Sequence, residues 1–92
     1  MEKALYNFLN KIEVNESIAL DDEHDLFIER SSDLKERYEL METESAFKVF
    51  NGNQEIGTLT KWNDGTVDYF SHCETKDYPF DYVSDLVEFV TR

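Results

Sequence analysis

The chain has 92 residues, and its 21 acidic side chains against nine basic ones give a formal net charge of −12 at pH 7. A field of this sign repels nucleic-acid phosphates and anionic membranes and attracts basic proteins. It therefore disfavours direct nucleic-acid or membrane binding. The length predicts one domain over residues 1–92, and 40% hydrophobic residues suffice for a folded core.

The cysteine count and the hydropathy limit the class further. One cysteine, Cys73, leaves no internal disulfide and no multi-cysteine metal site. The sequence has neither the apolar h-region of a signal peptide nor a long apolar run, so we expect a soluble, cytoplasmic protein.

Residues 3–13 have the pattern of an amphipathic helix. Leu5, Phe8, Leu9 and Ile12 repeat at i, i+3, i+4 and i+7. Because the other side is polar and nearly neutral, the pattern favours a helix docked on a sheet over a membrane-surface helix.

Residues 13–29 hold seven acidic side chains and no Lys or Arg. Apolar runs at 18–20 and 26–28 flank the cluster Asp21–Asp25, which predicts a hairpin or strand-loop-strand with an exposed acidic tip. The tip is a solvated loop, an anionic docking surface or a divalent-cation site, the last because Asp21, Glu23 and Asp25 stand at alternate positions. An EF-hand is disfavoured because Leu26 and Ser32 stand where that loop needs Gly and Glu.

Residues 31–44 fit either a helix or a strand. Leu34, Tyr38 and Met41 share a helical face, and the scarcity of β-branched residues favours a helix at least at the start. The segment extends the acidic character of the chain with Asp33, Glu36, Glu39, Glu42 and Glu44.

The stretch 46–73 predicts a three-stranded antiparallel meander. Strand-type residues at 46–50, 54–62 and 66–73 are separated by the turn dipeptides Asn51-Gly52 and Asp64-Gly65. Residues 74–82 read as a loop, and Val83, Leu86, Val87 and Val90 form a helical face after it. The fold class is thus α+β, with two layers: an antiparallel sheet of this meander plus one or two further strands, covered by N- and C-terminal helices.

Two-residue loops at both dipeptides would fix the register. Lys48 would then face Glu55, and Lys61 would face Asp68. The predicted core face carries Phe47, Val49, Ile56, Trp62, Val67, Tyr69 and Cys73. The wetter face carries Phe50, Leu59, Phe70 and His72.

The residues that could carry chemistry are few. His72 and Cys73 are adjacent, so in a strand they point to opposite faces and cannot form a dyad. The three glycines fit turns or strand packing and not a phosphate-binding loop. We therefore predict a non-enzymatic protein without a cofactor or a bound metal.

Binding to protein is the remaining function. Aromatic side chains surrounded by carboxylates suit a surface that docks on a basic partner. The predicted partner-binding residues are Asp21, Asp22, Glu23, Asp25, Glu39, Glu42 and Glu44, with possible apolar contacts from Phe50, Leu59 and Phe70.

In size, charge and α+β layout the chain resembles the small acidic inhibitors of phages and mobile elements, such as anti-CRISPR and anti-restriction proteins, and toxin-immunity proteins. The resemblance covers bulk character and implies no residue roles. It suggests an inhibitor, monomeric or homodimeric, that masks a nuclease or another basic nucleic-acid-binding protein by nucleic-acid mimicry. One alternative is a general interaction or scaffold module whose acidity serves solubility, which could form a homodimer through a sheet edge or through the Phe50–Leu59–Phe70 face. The other is a small metal-dependent regulator or enzyme.

Overall fold

The computed structural model describes residues 3–21, 23–30 and 43–92. In this part of the chain a six-stranded antiparallel sheet, with strands in sequence order, is accompanied by two short helices. The elements are α1 Leu5–Leu9, β1 Ser17–Asp21, β2 Leu26–Arg30, β3 Thr43–Asn51, β4 Gln54–Trp62, β5 Val67–Ser71, β6 Lys76–Pro79 and α2 Val83–Val90. The α+β class is confirmed.

Two predicted elements have different bounds in the structure. Helix α1 covers only the middle of the predicted span 3–13. Strand β3 begins at Thr43, so the described end of the ambiguous segment 31–44 is strand. The prediction favoured a helix at least at the start of this segment, and residues 31–42 lie outside the described residues.

Both helices pack against one face of the sheet. Leu5, Leu9 and Leu86 are fully buried and share one hydrophobic cluster with sheet residues such as Phe47 and Val49. The predicted two-layer arrangement is confirmed in part by this packing. Within the described ranges, neither helix has the length and apolarity needed to traverse a bilayer.

The first turn of the meander is shifted by one residue from its prediction. Asn51 pairs with Gln54, so the loop is Gly52-Asn53, and Gly52 has φ +61°. Positive φ at the first loop position is what a type II′ hairpin turn requires. The register then shifts at Phe50, so that Val49 faces Gly57.

The second turn has three loop residues instead of two. The Trp62 amide donates to the Thr66 carbonyl oxygen at 2.9 Å, which closes a loop of Asn63, Asp64 and Gly65. Gly65 has φ +92°, the left-handed residue that follows a turn in such loops. The extra residue slips β5 by one position against β4.

These shifts overturn the predicted cross-strand pairs. Lys48 faces Thr58 and Glu29 instead of Glu55. Lys61 faces Val67 instead of Asp68. A slip of one residue moves a side chain to the other face of a strand.

The predicted faces need corresponding corrections. Leu59, expected on the wetter face as a contact residue, faces Phe47 and Tyr69 and is fully buried in the core. Trp62, expected in the core, is half-buried, and its indole N–H donates to Asp68 at 2.9 Å. Ile56 is partly buried against the core.

The predicted secondary structure was also wrong after Ser71. The predicted strand 66–73 ends at Ser71, and the predicted loop contains strand β6. The turn between them, residues 72–75, is closed by the Thr75 amide, which donates to the Ser71 carbonyl oxygen at 2.8 Å. Cys73 lies in this turn and is exposed, not in the core.

The sheet leaves no space for a side chain at Gly57. A Cβ atom there would lie 2.5 Å from the Tyr69 ring and 2.5 Å from the Phe70 carbonyl oxygen. The Tyr69 ring therefore lies directly over the backbone of β4, and its hydroxyl donates to the Ile56 carbonyl oxygen at 3.2 Å.

We expect Gly57→Ala to lower the free energy of unfolding by about 2 to 3 kcal/mol, because overpacking in the core forces side chains and backbone apart. Urea unfolding measures the change. Gly52→Ala is the matched control: its Cβ would meet nothing within 4 Å, so it should cost only about 1 kcal/mol for the positive φ. Equal losses in the two variants would contradict the close Tyr69 contact.

Candidate functional site

Three of the hairpin turns lie at the same end of the sheet. Leu26 pairs with Asn51, and the Gly52 amide donates to the Asp25 carbonyl oxygen at 2.8 Å, so the β1–β2 tip lies beside the β3–β4 turn. The β5–β6 turn lies at the same end because Gly57 faces Ser71. We call this end, with residues 21, 23–25, 51–56 and 71–76, the turn end.

The turn end gathers most of the candidate chemistry. It contains the carboxylates of Asp21, Glu23, Asp25, Glu55 and Glu74, both histidines and Cys73. Residues that are up to 53 positions apart in sequence thus lie at the same end of the sheet, which follows from the antiparallel meander and not from any local motif.

At the β1–β2 tip, the Asp21 carboxylate is hydrogen-bonded to two neighbouring residues. Its Oδ2 lies 2.7 Å from His24 Nδ1, and its Oδ1 accepts the Glu23 amide at 3.0 Å. The hydrogen bond to His24 lowers the pKa of Asp21, and the same bond raises the pKa of His24. When its ring is protonated, His24 places a positive charge within the acidic tip.

A possible cation site at this tip differs from the one the sequence suggested. Ligand atoms of Asp21, Glu23 and His24 all lie within 4.8 Å of one another, whereas the alternating pattern pointed to Asp25 as the third residue. Exposed acidic groups commonly approach this closely without an ion. We therefore treat the cluster as a source of charge.

The structure brings together some of the predicted binding residues and separates others. Asp21, Glu23 and Asp25 share the tip. Glu44 lies near the start of β3, at the opposite end of that strand from the turn end. Asp22, Glu39 and Glu42 lie outside the described residues. Phe50 and Phe70 are half-buried, and pairing and alternation place them on the sheet face opposite the core.

A cavity of about 400 Å³ opens at the turn end. Ile56, Tyr69, Phe89 and Val90 supply its apolar lining. Its polar lining comes from Asn51, Gln54, Glu55, Ser71, His72, Cys73, Glu74 and Arg92. We call it the turn-end cavity. Sequence reasoning missed it because its walls come from β4, the 72–75 turn and the end of α2.

Four aromatic rings form a cluster beside this cavity. Phe89 is at its centre, with ring centroids 4.6 Å from Tyr78, 5.4 Å from Phe80 and 6.0 Å from Tyr69. Burial raises the pKa of Tyr69 to about 12, so its hydroxyl remains a neutral donor at physiological pH.

Carboxylates lie at the rim of the turn-end cavity. Glu55 Oε2 is 3.4 Å from His72 Nε2, and Glu74 Oε2 accepts a hydrogen bond from the Tyr78 hydroxyl. This bond raises the pKa of Tyr78. An aromatic surface edged with carboxylates is the chemistry that attracts a cation.

Two of the basic side chains are directed inward, under α1. Lys61 is only 4% exposed, donates to Asn10 Oδ1 and lies 4.8 Å from the Tyr6 ring centroid. Arg30 donates to the Ile12 carbonyl oxygen at 2.9 Å and to Ser45 Oγ at 3.0 Å. Among the described residues, four basic side chains are exposed against ten acidic ones. The outer surface is therefore strongly negative.

No protein-family model matches the sequence, and neither the curated proteins nor the solved structures include a significant match. Function is therefore inferred from the chain's own side chains.

We expect the pKa of His24 to lie above 6.5 and to fall towards that value in Asp21→Asn, because the variant removes the carboxylate that favours the imidazolium. Titration of the histidine ring protons by NMR measures both values. Glu13→Gln, at the other end of β1, is the control and should leave His24 unchanged. A His24 pKa that does not respond to Asp21→Asn would contradict the hydrogen bond.

The signs of the two shifts also define a pH window. The raised pKa of His24 contributes stability at low pH that is lost as the pH rises through the folded value. The lowered pKa of Asp21 contributes stability that is lost as the pH falls through its folded value. The pair therefore stabilises the tip between these two pKa values.

Thr75 adds strain to the turn beside the cavity, because it is a β-branched residue with φ +51°. We expect Thr75→Asn to raise the free energy of unfolding by about 1 kcal/mol, since Asn tolerates the left-handed region far better. Urea unfolding measures the gain. A loss of stability in Thr75→Asn would show that the Thr75 hydroxyl, which donates to the Glu74 carbonyl oxygen at 2.7 Å, outweighs the strain.

Proposed function

We propose that this protein is a non-enzymatic inhibitor that docks its turn end on the basic, nucleic-acid-binding surface of another protein. The observation that carries the proposal is the gathering of Asp21, Glu23, Asp25, Glu55 and Glu74 at one end of a rigid sheet. The Arg and Lys side chains that bind phosphate also bind carboxylate. Carboxylates on a rigid frame can thus occupy a groove built for nucleic acid.

The positions of the basic side chains support this proposal over the alternative that the negative charge serves only solubility. Solubility requires net charge but no particular arrangement of it. In this chain Lys61 is buried and Arg30 is held to Ile12 and Ser45, away from the turn end. Near the turns, the negative field is offset by the exposed Lys76 and Arg92 and by His24 when its ring is protonated.

The alternative of a homodimer that pairs sheet edges has less support. Strand β6 has four residues and includes Pro79, which has no amide hydrogen to donate. The ladder of the other edge strand, β1, is irregular between Ala19 and Asp21. Short, interrupted edges of this kind resist strand addition.

Charge reversal at the tip tests the proposal. We expect Glu23→Lys with Asp25→Asn to weaken partner binding by about tenfold or more, because it removes charge from the docking end. Asn at residue 25 preserves tolerance of φ +55°. Partners are captured from lysate of the source cell and identified by mass spectrometry, and the affinity of the purified partner is then measured for both proteins.

Glu13→Lys with Glu16→Gln is the matched control, because it changes the net charge equally at the opposite end of β1. It should bind nearly as well as the unchanged protein. Binding should weaken steeply with added salt and should compete with DNA or RNA. Equal losses in both double variants, or a partner without a basic groove, would contradict docking through the turn end.

A further inference from the structure

We propose that the turn-end cavity receives the guanidinium group of an arginine side chain from the basic partner. This inference rests on the proposed function and names the contact that anchors it. Its three supports are an aromatic wall, the chain's own Arg92 lying over the Phe89 ring of that wall, and carboxylates at the rim.

The aromatic wall gives a planar cation one half-buried ring, Phe89, to stack on, whereas Tyr69 is only 2% exposed and packs against Phe89. Phe89 and Tyr69 line the cavity with centroids 6.0 Å apart and planes inclined at 74°. Guanidinium is planar and weakly hydrated, so it stacks on aromatic faces more readily than an ammonium group does. This favours arginine over lysine as the occupant.

The chain's own cations show that these rings accept positive charge. Arg92 lines the cavity, and its Cζ lies 5.3 Å from the Phe89 centroid. Lys76 Nζ lies 5.6 Å from the centroid of Tyr78, which is packed on Phe89. Arg92 thus occupies a position that a partner's guanidinium would use, and the two would compete.

Carboxylates at the rim supply a full negative charge that a guanidinium group can pair with. Glu55 and Glu74 both line the cavity, and the Glu55 carboxylate is about one-third exposed. An exposed carboxylate can accept the paired N–H groups of a guanidinium. A volume of about 400 Å³ also suits one side chain, since it lies at the small end of the range for ligand pockets.

Titration with N-acetyl-arginine amide, followed by NMR of the backbone amides, tests the proposal without any partner. We expect saturable shifts centred on residues 55–57, 71–74 and 89–92. The citrulline counterpart has the same shape without the charge and should cause little change. Absence of saturable shifts there, or equal shifts from the citrulline probe, would overturn the proposal.

Three variants sharpen the test. Arg92→Ala should strengthen binding of the arginine probe by roughly two- to fivefold, because it removes the competing cation. Glu55→Gln should weaken it by a similar factor, and Glu13→Gln, far from the cavity, should leave it unchanged. A gain in Arg92→Ala cannot arise from unfolding, and a loss there would count against the proposal.

The experiments can contradict either proposal without contradicting the other. If the arginine probe does not bind but Glu23→Lys with Asp25→Asn still weakens partner capture, the cavity is not the anchor and the docking proposal stands. If the probe binds and the tip variants leave partner affinity unchanged, the cavity proposal survives and docking through the tip is wrong.

Discussion

The contact between Tyr69 and Gly57 links the core to the candidate site. The Tyr69 ring lies over the β4 backbone where only hydrogen fits, and it reaches Phe89 of α2 on its other side. Its burial thus sets the spacing between the sheet and the end of α2. Because the turn-end cavity lies in that space, its shape depends on a residue whose main role is packing. Rigid packing of this kind is what gives a shallow site a defined geometry.

The distribution of charge follows from burial as much as from composition. A buried lysine requires hydrogen-bond acceptors or ring faces to offset its desolvation, and Lys61 finds them in Asn10 and Tyr6. Arg30 similarly holds the segment after α1 through the Ile12 carbonyl oxygen. These two cations therefore attach α1 and its following loop to the sheet. Most of the described acidic side chains have no comparable role in the core and are exposed.

The class of the fold was predictable from the sequence because it depends on periodicity and turn dipeptides, which are local. The strands around Phe47 and Val67 and the helix at Leu86 follow from such patterns. The register was not predictable, since a three-residue loop ending in Gly65 reads the same as a two-residue loop. Together with the register shift at Phe50, that difference placed Leu59 in the core instead of on a proposed contact surface. The acidic tip was found because its residues are contiguous, whereas the cavity requires Ile56, Cys73 and Phe89 to meet.

The tip and the cavity act over different distances, which is why their position at the same end matters. At physiological ionic strength, charges more than about 8 Å apart are largely screened, so net charge matters less at contact than the carboxylates nearest the partner. Asp21, Glu23 and Asp25 can orient an approaching basic surface, but exposed ion pairs add little affinity. A desolvated anchor supplies affinity that exposed charge cannot. Under the proposed function, a steering cluster beside an aromatic cavity would give a small acidic domain both rapid capture and a defined binding pose.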